Sequence, residues 1–340
     1  MGSYKVVVLR GDGIGPEVIE QAINVLNAVQ DSIKGLNFHL VVCDAGNYCI
    51  KKHGTNLPEV TIDFLEESDA CLKGPITTIE NPKAPPSVTV ALRKMFNLYA
   101  NVRPAKNLPN VPSIAKNVDL VIVRENTEGL YSGIEQLVGK DTGIALRVIS
   151  KKASERIAKF AFEMAKRRSK HLTYVHKANI LRLTDGIFVK AVQNIAKKYR
   201  SVKVDSQRID AIAMQLIKNP QQFDTILTTN MFGDIISDEA AQVVGGIGLA
   251  AGANIGDDFG IFEPIHGSAP KHAGKNRANP IAAIFSAKMM LDYLGENAAA
   301  RKIESAVIKV LKEKKVRTYD LGGKATTKQM GDAIAKKISE

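Results

Sequence analysis

Strand-like and helix-like patterns alternate along this chain, and that alternation constrains its fold more than any other feature. The first unit is YKVVVLR (4–10), then the turn GDGIGP, then VIEQAINVLNAV (18–29). A continuous β-branched run is typical of a strand buried on both faces, and apolar residues at three- and four-residue spacing indicate a helix. Pro16 suits the first turn of that helix. The unit is therefore interpreted as strand, tight loop and helix.

The same alternation recurs to about residue 230, which predicts an α/β fold with a largely parallel sheet. No internal repeat or low-complexity linker is present, so two domains, if present, are tightly joined. The Gly-rich segments 245–256 and 256–274 are predicted to be loops or close-packed turns. Further strand-like segments are 36–42, 69–74, 118–124, 172–177 and 223–230, and helices are predicted near 58–67 and over 154–168.

Composition and charge narrow the class of protein. The chain has 340 residues, of which 45% are hydrophobic, and a formal net charge of +12. No apolar run approaches the ~18 residues of a membrane span, and the start does not resemble a signal peptide. We therefore expect a cytoplasmic protein without a membrane partner. The chain has three cysteines, Cys43, Cys49 and Cys71, and their spacing is not that of a metal site. An odd number argues against a disulfide framework, so we expect reduced thiols in or near the core.

The positive charge raises the question of nucleic-acid binding. The excess lysine is scattered over predicted helical faces, and the one dense cluster is KRRSK at 166–170. That cluster is interpreted as a solvated helix end. We therefore expect no nucleic-acid partner, and salt-sensitive binding to single or double strands would test that alternative.

The glycine cluster after the first strand lies where a dinucleotide-binding fingerprint would begin. That fingerprint requires glycine at positions 11, 13 and 16, with an acid roughly 20 residues further on. Position 16 is proline, and the third glycine, Gly15, comes one residue early. The cluster is therefore interpreted as a structural turn and not as a Rossmann phosphate loop.

Three arginines, Arg93, Arg103 and Arg124, lie beside strand-like segments, with Ser87 and Thr89 upstream. A guanidinium group at a strand end is well suited to bidentate recognition of a carboxylate. A single arginine is more often a surface ion pair. Three of them flanking such segments favour an anionic substrate.

Asp234 and Asp238 are four residues apart, and this spacing places them on one helical face. Two like charges there destabilise a helix unless a cation intervenes, and a hard divalent cation with Asp210 as a third ligand would provide one. Spacing alone leaves open an N-cap aspartate beside an exposed one. Lys177, after an apolar strand, and Tyr131, in a Gly-flanked loop, are weaker candidates for acid–base chemistry.

Seven segments together resemble the β-decarboxylating dehydrogenases, which comprise isocitrate, homoisocitrate, 3-isopropylmalate and tartrate-type enzymes. The match runs in order from about residue 5 to 335. It implies an isocitrate/isopropylmalate dehydrogenase-like two-domain α/β fold with a mixed, largely parallel central sheet, not a Rossmann fold. Residues 1–100 with 250–340 would form the nucleotide-binding domain, and 101–249 a smaller domain with the dimer interface. The segments are GDGIGPE, LRKMFNLYANVRP, VRENTEGLYSG, VHKANI, NMFGDIISDEAA, GANIGDD and EPIHGSAPKHAGKNRANP.

The resemblance also implies a homodimer in which each active site borrows residues from the partner. Lys177, from the partner, would assist deprotonation of the substrate hydroxyl, and Tyr131 would protonate the enol. Residues implied for substrate carboxylates are Ser87, Thr89, Arg93, Arg103 and Arg124. Those implied for Mg²⁺ or Mn²⁺ are Asp234, Asp238 and the partner's Asp210. Those implied for the cofactor are Thr77, Thr78, Glu263, His266, Gly267, Ser268, Ala269, Lys271, His272, Asn279 and Tyr319.

Substrate choice depends on the residues just before Arg93. Isocitrate enzymes resemble S-x-N-x-x-L-R there, and isopropylmalate enzymes tend to be apolar. Ser87 matches the isocitrate pattern, whereas Thr89 stands where that pattern has asparagine. Position 90 is valine, so the extra arginine of some homoisocitrate enzymes is absent. A tricarboxylate, isocitrate, is therefore expected, with homoisocitrate and 3-isopropylmalate as alternatives.

Cofactor choice depends on HGSAPKHAG, in which NAD-dependent relatives carry an acid where this chain has Lys271. Lys271, His272 and Tyr319 favour NADP. Two alternatives stay open: Lys271 is only a surface charge, or the cofactor is NAD. Gly323 stands where NADP enzymes have a further arginine. A non-catalytic regulatory subunit of the same fold is disfavoured, because the catalytic and metal residues are all present.

Overall fold

The computed structural model describes residues 2–81 and 84–340. Strands and helices alternate along most of the chain, as the sequence predicts, and each strand and helix expected before residue 230 is present. In chain order they are β1 (Ser3–Leu9), α1 (Gly15–Ser32), β2 (Asn37–Cys43), α2 (Tyr48–His53), α3 (Glu59–Glu66), β3 (Ala70–Lys73), α4 (Val88–Met95), β4 (Ala100–Lys106), β5 (Asp119–Glu125), β6 (Glu135–Val138), β7 (Thr142–Ala145), α5 (Lys151–Arg167), β8 (His171–His176), α6 (Thr184–Ala196), β9 (Lys203–Arg208), α7 (Ile209–Lys218), β10 (Thr225–Thr228), α8 (Asn230–Val244), β11 (Ala251–Ile255), β12 (Gly260–Pro264), α9 (Ile281–Tyr293), α10 (Asn297–Glu313) and α11 (Thr327–Ser339).

Ten strands form one sheet in the order β2-β1-β3-β12-β11-β4-β5-β10-β8-β9, and β6 pairs with β7 in a separate hairpin. Strand β11 is antiparallel to β12 and to β4, and β4 is antiparallel to β5. The other neighbouring pairs of the large sheet are parallel. This confirms the mixed, largely parallel sheet, and the strand order differs from that of a Rossmann fold.

The β11–β4 pair joins strands from the chain ends to strands from the middle of the chain. Helices α1, α9, α10 and α11 surround one core that includes Leu26, Ile303 and Met330. Helices α5 and α6 pack over β8 around Phe162, and α7 and α8 contribute to another core around Ile236. Since the sheet is continuous across this pair, the division into 1–100 with 250–340 and 101–249 stays a prediction.

The glycine cluster forms a tight turn that connects three loops. Gly11 and Gly13 have φ of 73° and 60°, a region that favours glycine. A Cβ on Gly13 would lie 2.0 Å from the carbonyl oxygen of Ser268. The Asp12 carboxylate accepts the backbone N–H groups of Asn47 and Thr77 at 3.0 Å. These contacts support the interpretation as a structural turn.

Two expectations for local structure were wrong. The Gly-rich segments 245–256 and 256–274 contain strands β11 and β12, because neighbouring strands supply backbone partners that local composition does not reveal. Arg93 lies on helix α4 and not beside a strand.

The expectations for the cysteines and for the basic cluster hold. The three cysteines are buried and free, and KRRSK (166–170) spans the end of α5, where most of its residues are exposed. Among residues 2–81 and 84–340, no helix is both long and apolar enough to cross a membrane.

Candidate functional site

A cavity of about 300 Å³ lies at the junction of β4 and β11, between residues from both halves of the sheet. The expected substrate residues converge there from separate elements. The predicted residues that line the cavity are Thr78, Ser87, Thr89, Arg93, Arg103, Arg124, Tyr131, Asp234, Glu263, His266 and Gly267.

Three arginines give the cavity its charge, and we call Arg93, Arg103 and Arg124 the clamp arginines. They lie on α4, β4 and β5, and at most 8% of each residue is exposed. Burial lowers the pKa of Arg124, and the charges of Arg103 and Arg93 lower it further. Mutually repelling buried cations are stabilised by an anion, so this geometry suits a substrate carboxylate.

Asp234 and Asp238 occupy one face of α8, as the spacing predicts, and neither is an N-cap residue. Asp234 pairs with Arg124 and, at 3.2 Å, with Arg103. Asp238 lies 3.2 Å from the same Arg103 guanidinium. Burial favours a higher pKa for Asp234, but the charges of Arg124 and Arg103 outweigh it and hold that pKa below its usual value. Asp234 is therefore ionised at neutral pH.

The two aspartates suit a hard divalent cation, because carboxylate oxygens are the ligands that Mg²⁺ and Mn²⁺ prefer. In the part of the chain that the structure describes, no group of three or more His, Cys, Asp or Glu side chains could hold a metal ion. The donor chemistry of Asp234 and Asp238 fits the metal, and two carboxylates leave further coordination positions of such an ion for other ligands.

Lys177 and Asp210 lie outside the cavity lining and pair with each other, at 2.6 Å between Nζ and Oδ1. Lys177 directly follows β8, as expected. Asp210 shares one face of α7 with Met214 and Ile217, which are 55% and 57% exposed. The pair thus lies on an exposed apolar surface.

Tyr131 lies between Gly129 and Gly133 in a short 3-10 turn and is half-buried. Its hydroxyl donates to Asp234 Oδ2 at 2.5 Å, and the Arg124 guanidinium lies 5.0 Å from its ring centroid. Burial and the neighbouring Asp234 carboxylate raise the pKa of Tyr131. The phenol is therefore protonated at neutral pH and can donate a proton.

The expected cofactor residues form a second cluster beside the cavity. The hydroxyls of Thr77 and Ser268 lie 2.5 Å apart, and the His272 and Tyr319 rings stack with centroids 6.1 Å apart. Asn279 donates to a carboxylate oxygen of Asp320 at 2.8 Å, and Ala269 adopts a left-handed φ of 40°.

Unpaired polar groups in this cluster indicate what it could bind. Within residues 2–81 and 84–340, His266 Nε2 and His272 Nδ1 are buried without a hydrogen-bond partner. Burial lowers the pKa of His266, so that its ring is neutral at pH 7. Among the same residues, exposed Lys271 forms no ion pair. Open imidazole nitrogens and a free cation fit a bound nucleotide that carries phosphate.

Two residues that the sequence analysis missed also belong to this region. Lys73 lines the cavity with a side chain only 2% exposed, and its Nζ lies 2.5 Å from Glu263 Oε2. Lys73 is the last residue of the apolar strand β3. A lysine at the end of an apolar strand was also the sequence feature that indicated Lys177. Arg277 lies over the Tyr319 ring at 5.2 Å, a contact across 42 residues that spacing does not indicate.

Comparison with known proteins places the chain among decarboxylating dehydrogenases of several substrates. Residues 5–334 match the family described as isocitrate/isopropylmalate dehydrogenase. The homoisocitrate dehydrogenase of Methanocaldococcus jannaschii is 49% identical over 350 residues, covering 98% of this chain and 97% of that protein. The 3-isopropylmalate/3-methylmalate dehydrogenase of the same organism is 46% identical over 342 residues, covering 99% of each. A crystal structure of isocitrate dehydrogenase from Methylococcus capsulatus has a TM-score of 0.94 at 43% identity, covering 99% of this chain and 100% of that chain.

Proposed function

Because this chain belongs to the isocitrate/isopropylmalate dehydrogenase family of decarboxylating dehydrogenases, we propose that it oxidises and decarboxylates isocitrate to 2-oxoglutarate with NADP. The surplus of positive charge in the cavity carries this proposal. Lys73 and the three clamp arginines line it, against the carboxylates of Asp234 and Glu263. A tricarboxylate gains more from such a lining than 3-isopropylmalate, whose branch is apolar.

The start of helix α4 can bind the third carboxylate of isocitrate. Ser87 is the N-cap residue of α4, and Ser87, Thr89 and Val90 all line the cavity. Backbone N–H groups at a helix N-terminus favour an anion, and the two hydroxyls can donate to it. Homoisocitrate is one methylene longer and is the second candidate, favoured by 49% identity to a protein named homoisocitrate dehydrogenase.

Each proton transfer in this reaction has a candidate side chain. The clamp arginines orient the substrate, and Lys177 of the partner subunit accepts the hydroxyl proton as hydride leaves C2. Tyr131 then donates a proton to C3 after carbon dioxide has left it. Bound NADP would supply the hydride acceptor, and Mg²⁺ or Mn²⁺, held by Asp234, Asp238 and the partner's Asp210, would supply Lewis-acid stabilisation of charge on the C2 oxygen.

A homodimer would complete this site, because Lys177 and Asp210 lie apart from the cavity on an exposed apolar surface. Exposed patches of this kind are typical of protein–protein interfaces. Exposed apolar residues lie in the loop between β8 and α6 and on α7, and the β6–β7 hairpin exposes further ones. In the loop and on α7 the large exposed apolar residues include Ile180 (67%), Leu183 (83%), Met214 (55%) and Ile217 (57%), and in the hairpin and directly after it they include Leu137 (73%) and Leu146 (53%).

An active enzyme is favoured over a regulatory subunit of the same fold, because Tyr131, Lys177, Asp210, Asp234 and Asp238 are all present. We place the protein in the cytoplasm. Its three free, buried cysteines suit a reducing compartment.

Initial rates with Mg²⁺, crossing isocitrate, homoisocitrate and 3-isopropylmalate with NADP and NAD, test the proposal. We expect kcat/KM for isocitrate with NADP to exceed that for homoisocitrate by roughly 10- to 200-fold, the usual discrimination for one methylene. EDTA should abolish turnover, and added Mg²⁺ or Mn²⁺ should restore it. A preference for homoisocitrate would select the second candidate, and turnover that survives EDTA would contradict the metal assignment.

NADP selectivity is proposed to depend on Lys271 and His272, with Tyr319 beside them. The double substitution Lys271→Asp with His272→Ile should lower kcat/KM for NADP at least roughly 10- to 100-fold, because loss of the Lys271 cation alone removes a charge-assisted contact worth about 1.5–3 kcal/mol. Use of NAD should change little. Lys198→Asp, an exposed charge reversal in the turn after α6, is the control. Unchanged NADP kinetics in the double variant would contradict this assignment.

A further inference from the structure

Each clamp arginine is held at Nε by the amide oxygen of an asparagine. All three asparagines are 1% exposed, and they come from three different elements, β11, β4 and α8. The Nε–Oδ1 distances are 2.9 Å for Arg93 with Asn254, 2.7 Å for Arg103 with Asn101, and 2.9 Å for Arg124 with Asn230.

Two of the asparagines, Asn101 and Asn254, are connected to each other and to Glu263 in the cavity lining. Asn101 Nδ2 donates to Asn254 Oδ1 at 2.8 Å, and Asn254 Nδ2 donates to Glu263 Oε1 at 2.7 Å. Asn254 Oδ1 faces only N–H donors and its Nδ2 faces a carboxylate, so chemistry permits one orientation of this amide. The amide therefore fixes Arg93 directly and Arg103 through Asn101.

An amide oxygen differs from a carboxylate oxygen in one respect that matters here. Both accept a hydrogen bond from Nε, but the amide carries no charge and leaves the guanidinium positive. A carboxylate at the same place would neutralise the arginine and compete with the substrate. Arg103 and Arg124 already face Asp234, so further neutralisation would remove most of their remaining attraction for an anion.

We propose that Asn254, Asn101 and Asn230 are positioning residues of the substrate site: each orients a clamp arginine at Nε through a neutral amide and so preserves its charge for a substrate carboxylate. The inference rests on the proposed role of the clamp arginines as carboxylate ligands. It does not depend on which hydroxy acid is the substrate.

The test compares Asn→Asp with Asn→Ala at positions 101 and 230 in the full-length protein. The Asp variants retain an oxygen acceptor for the arginine Nε–H and add a negative charge. The Ala variants remove the acceptor and add no charge. Both kinds of variant lose the Nδ2 donor. The probe is D-malate, the hydroxydicarboxylate part shared by isocitrate, homoisocitrate and 3-isopropylmalate, with its Kd measured by calorimetry. Asn254 is left out, because a carboxylate in place of its amide would face the Glu263 carboxylate directly.

We expect Asn101→Asp and Asn230→Asp to raise the D-malate Kd at least about tenfold, and more than the Ala variants do. NADP binding should stay within about twofold, and unfolding midpoints identify any variant that fails to fold. The control pair is Asn107→Asp and Asn107→Ala. Asn107 bonds only to loop backbone, at Ala115 and Val118, in the described residues, so its variants should bind D-malate normally.

Three outcomes separate the hypotheses. Asp variants that bind D-malate like the wild type, with Ala variants weakened, would mean that the amides act only as acceptors and would overturn the inference. Equal binding by all variants would also overturn it. A wild-type protein that does not bind D-malate would contradict the proposed function itself, and the inference with it.

Discussion

A hybrid dimer of two inactive variants, Lys177→Met and Asp234→Asn, is expected to recover about half of the wild-type activity. In a two-fold dimer, each proposed site combines Lys177 and Asp210 of one subunit with Tyr131 and Asp234 of the other. In the hybrid, one site carries both substitutions and the second carries neither. Each homodimer should lose at least about 10²-fold in kcat, because Lys177→Met removes a positioned acid–base group and Asp234→Asn removes a metal ligand.

The measurement uses co-expression of the two chains with different tags and isolation of the hybrid by two affinity steps. A hybrid of Lys177→Met with Asp210→Asn is the matched control. Those two residues pair at 2.6 Å within one chain, so each site of this hybrid has one defect and should stay inactive. An inactive Lys177→Met/Asp234→Asn hybrid would contradict shared active sites and place the complete site within one subunit.

Replacing Glu263 by Gln is expected to destabilise the fold by about 3–5 kcal/mol at neutral pH, because it leaves the buried Lys73 ammonium without its counter-charge. Lys73 and Glu263 side chains are 2% and 12% exposed, and their charged atoms are 2.5 Å apart. The double variant Lys73→Met with Glu263→Gln should recover most of that loss, since replacing both charges of a buried pair is often close to neutral. Denaturant unfolding at equal protein concentration measures both.

The pH dependence gives a second readout of the same pair. Burial favours a higher pKa for Glu263, but the charges of Lys73 and Arg93 outweigh it and hold that pKa at about 2. An unfolded glutamate has a pKa of about 4.3, so the carboxylate stabilises the fold above that pH and loses its contribution as pH falls toward 2. The deficit of Glu263→Gln relative to wild type should therefore narrow between about pH 4.3 and pH 2. A constant deficit across this range would contradict the assigned role of the charge.

Much of the architecture could be predicted from local pattern. Continuous apolar runs predicted the parallel strands β1, β5, β8 and β10, and three- and four-residue periodicity predicted α1 and α5. The position of Pro16 distinguished a structural turn from a phosphate loop. Four-residue spacing placed Asp234 and Asp238 on one face of α8. In each case the decisive physics, backbone geometry and side-chain periodicity, operates within a few residues of the chain.

Strands β11 and β12 were missed because their glycines and alanines carry little strand preference, and their stability comes from neighbouring strands and buried packing. Lys73 was missed as a cavity residue because its partner Glu263 lies 190 positions away in the sequence. The pairing of Asn254 with Arg93 spans 161 positions, and nothing local indicates it.

By itself, the sequence determined which residues could carry the chemistry: three arginines, a pair of aspartates on one helix face, a tyrosine and a lysine. Only the tertiary structure decided which of them meet. It brought the clamp arginines to one cavity, held each at Nε by a buried asparagine, and left Lys177 and Asp210 on a separate surface. The physical reason is that periodicity acts along the chain, whereas charge repulsion, burial and hydrogen bonding at the site depend on distances between segments that only the folded β4–β11 junction establishes.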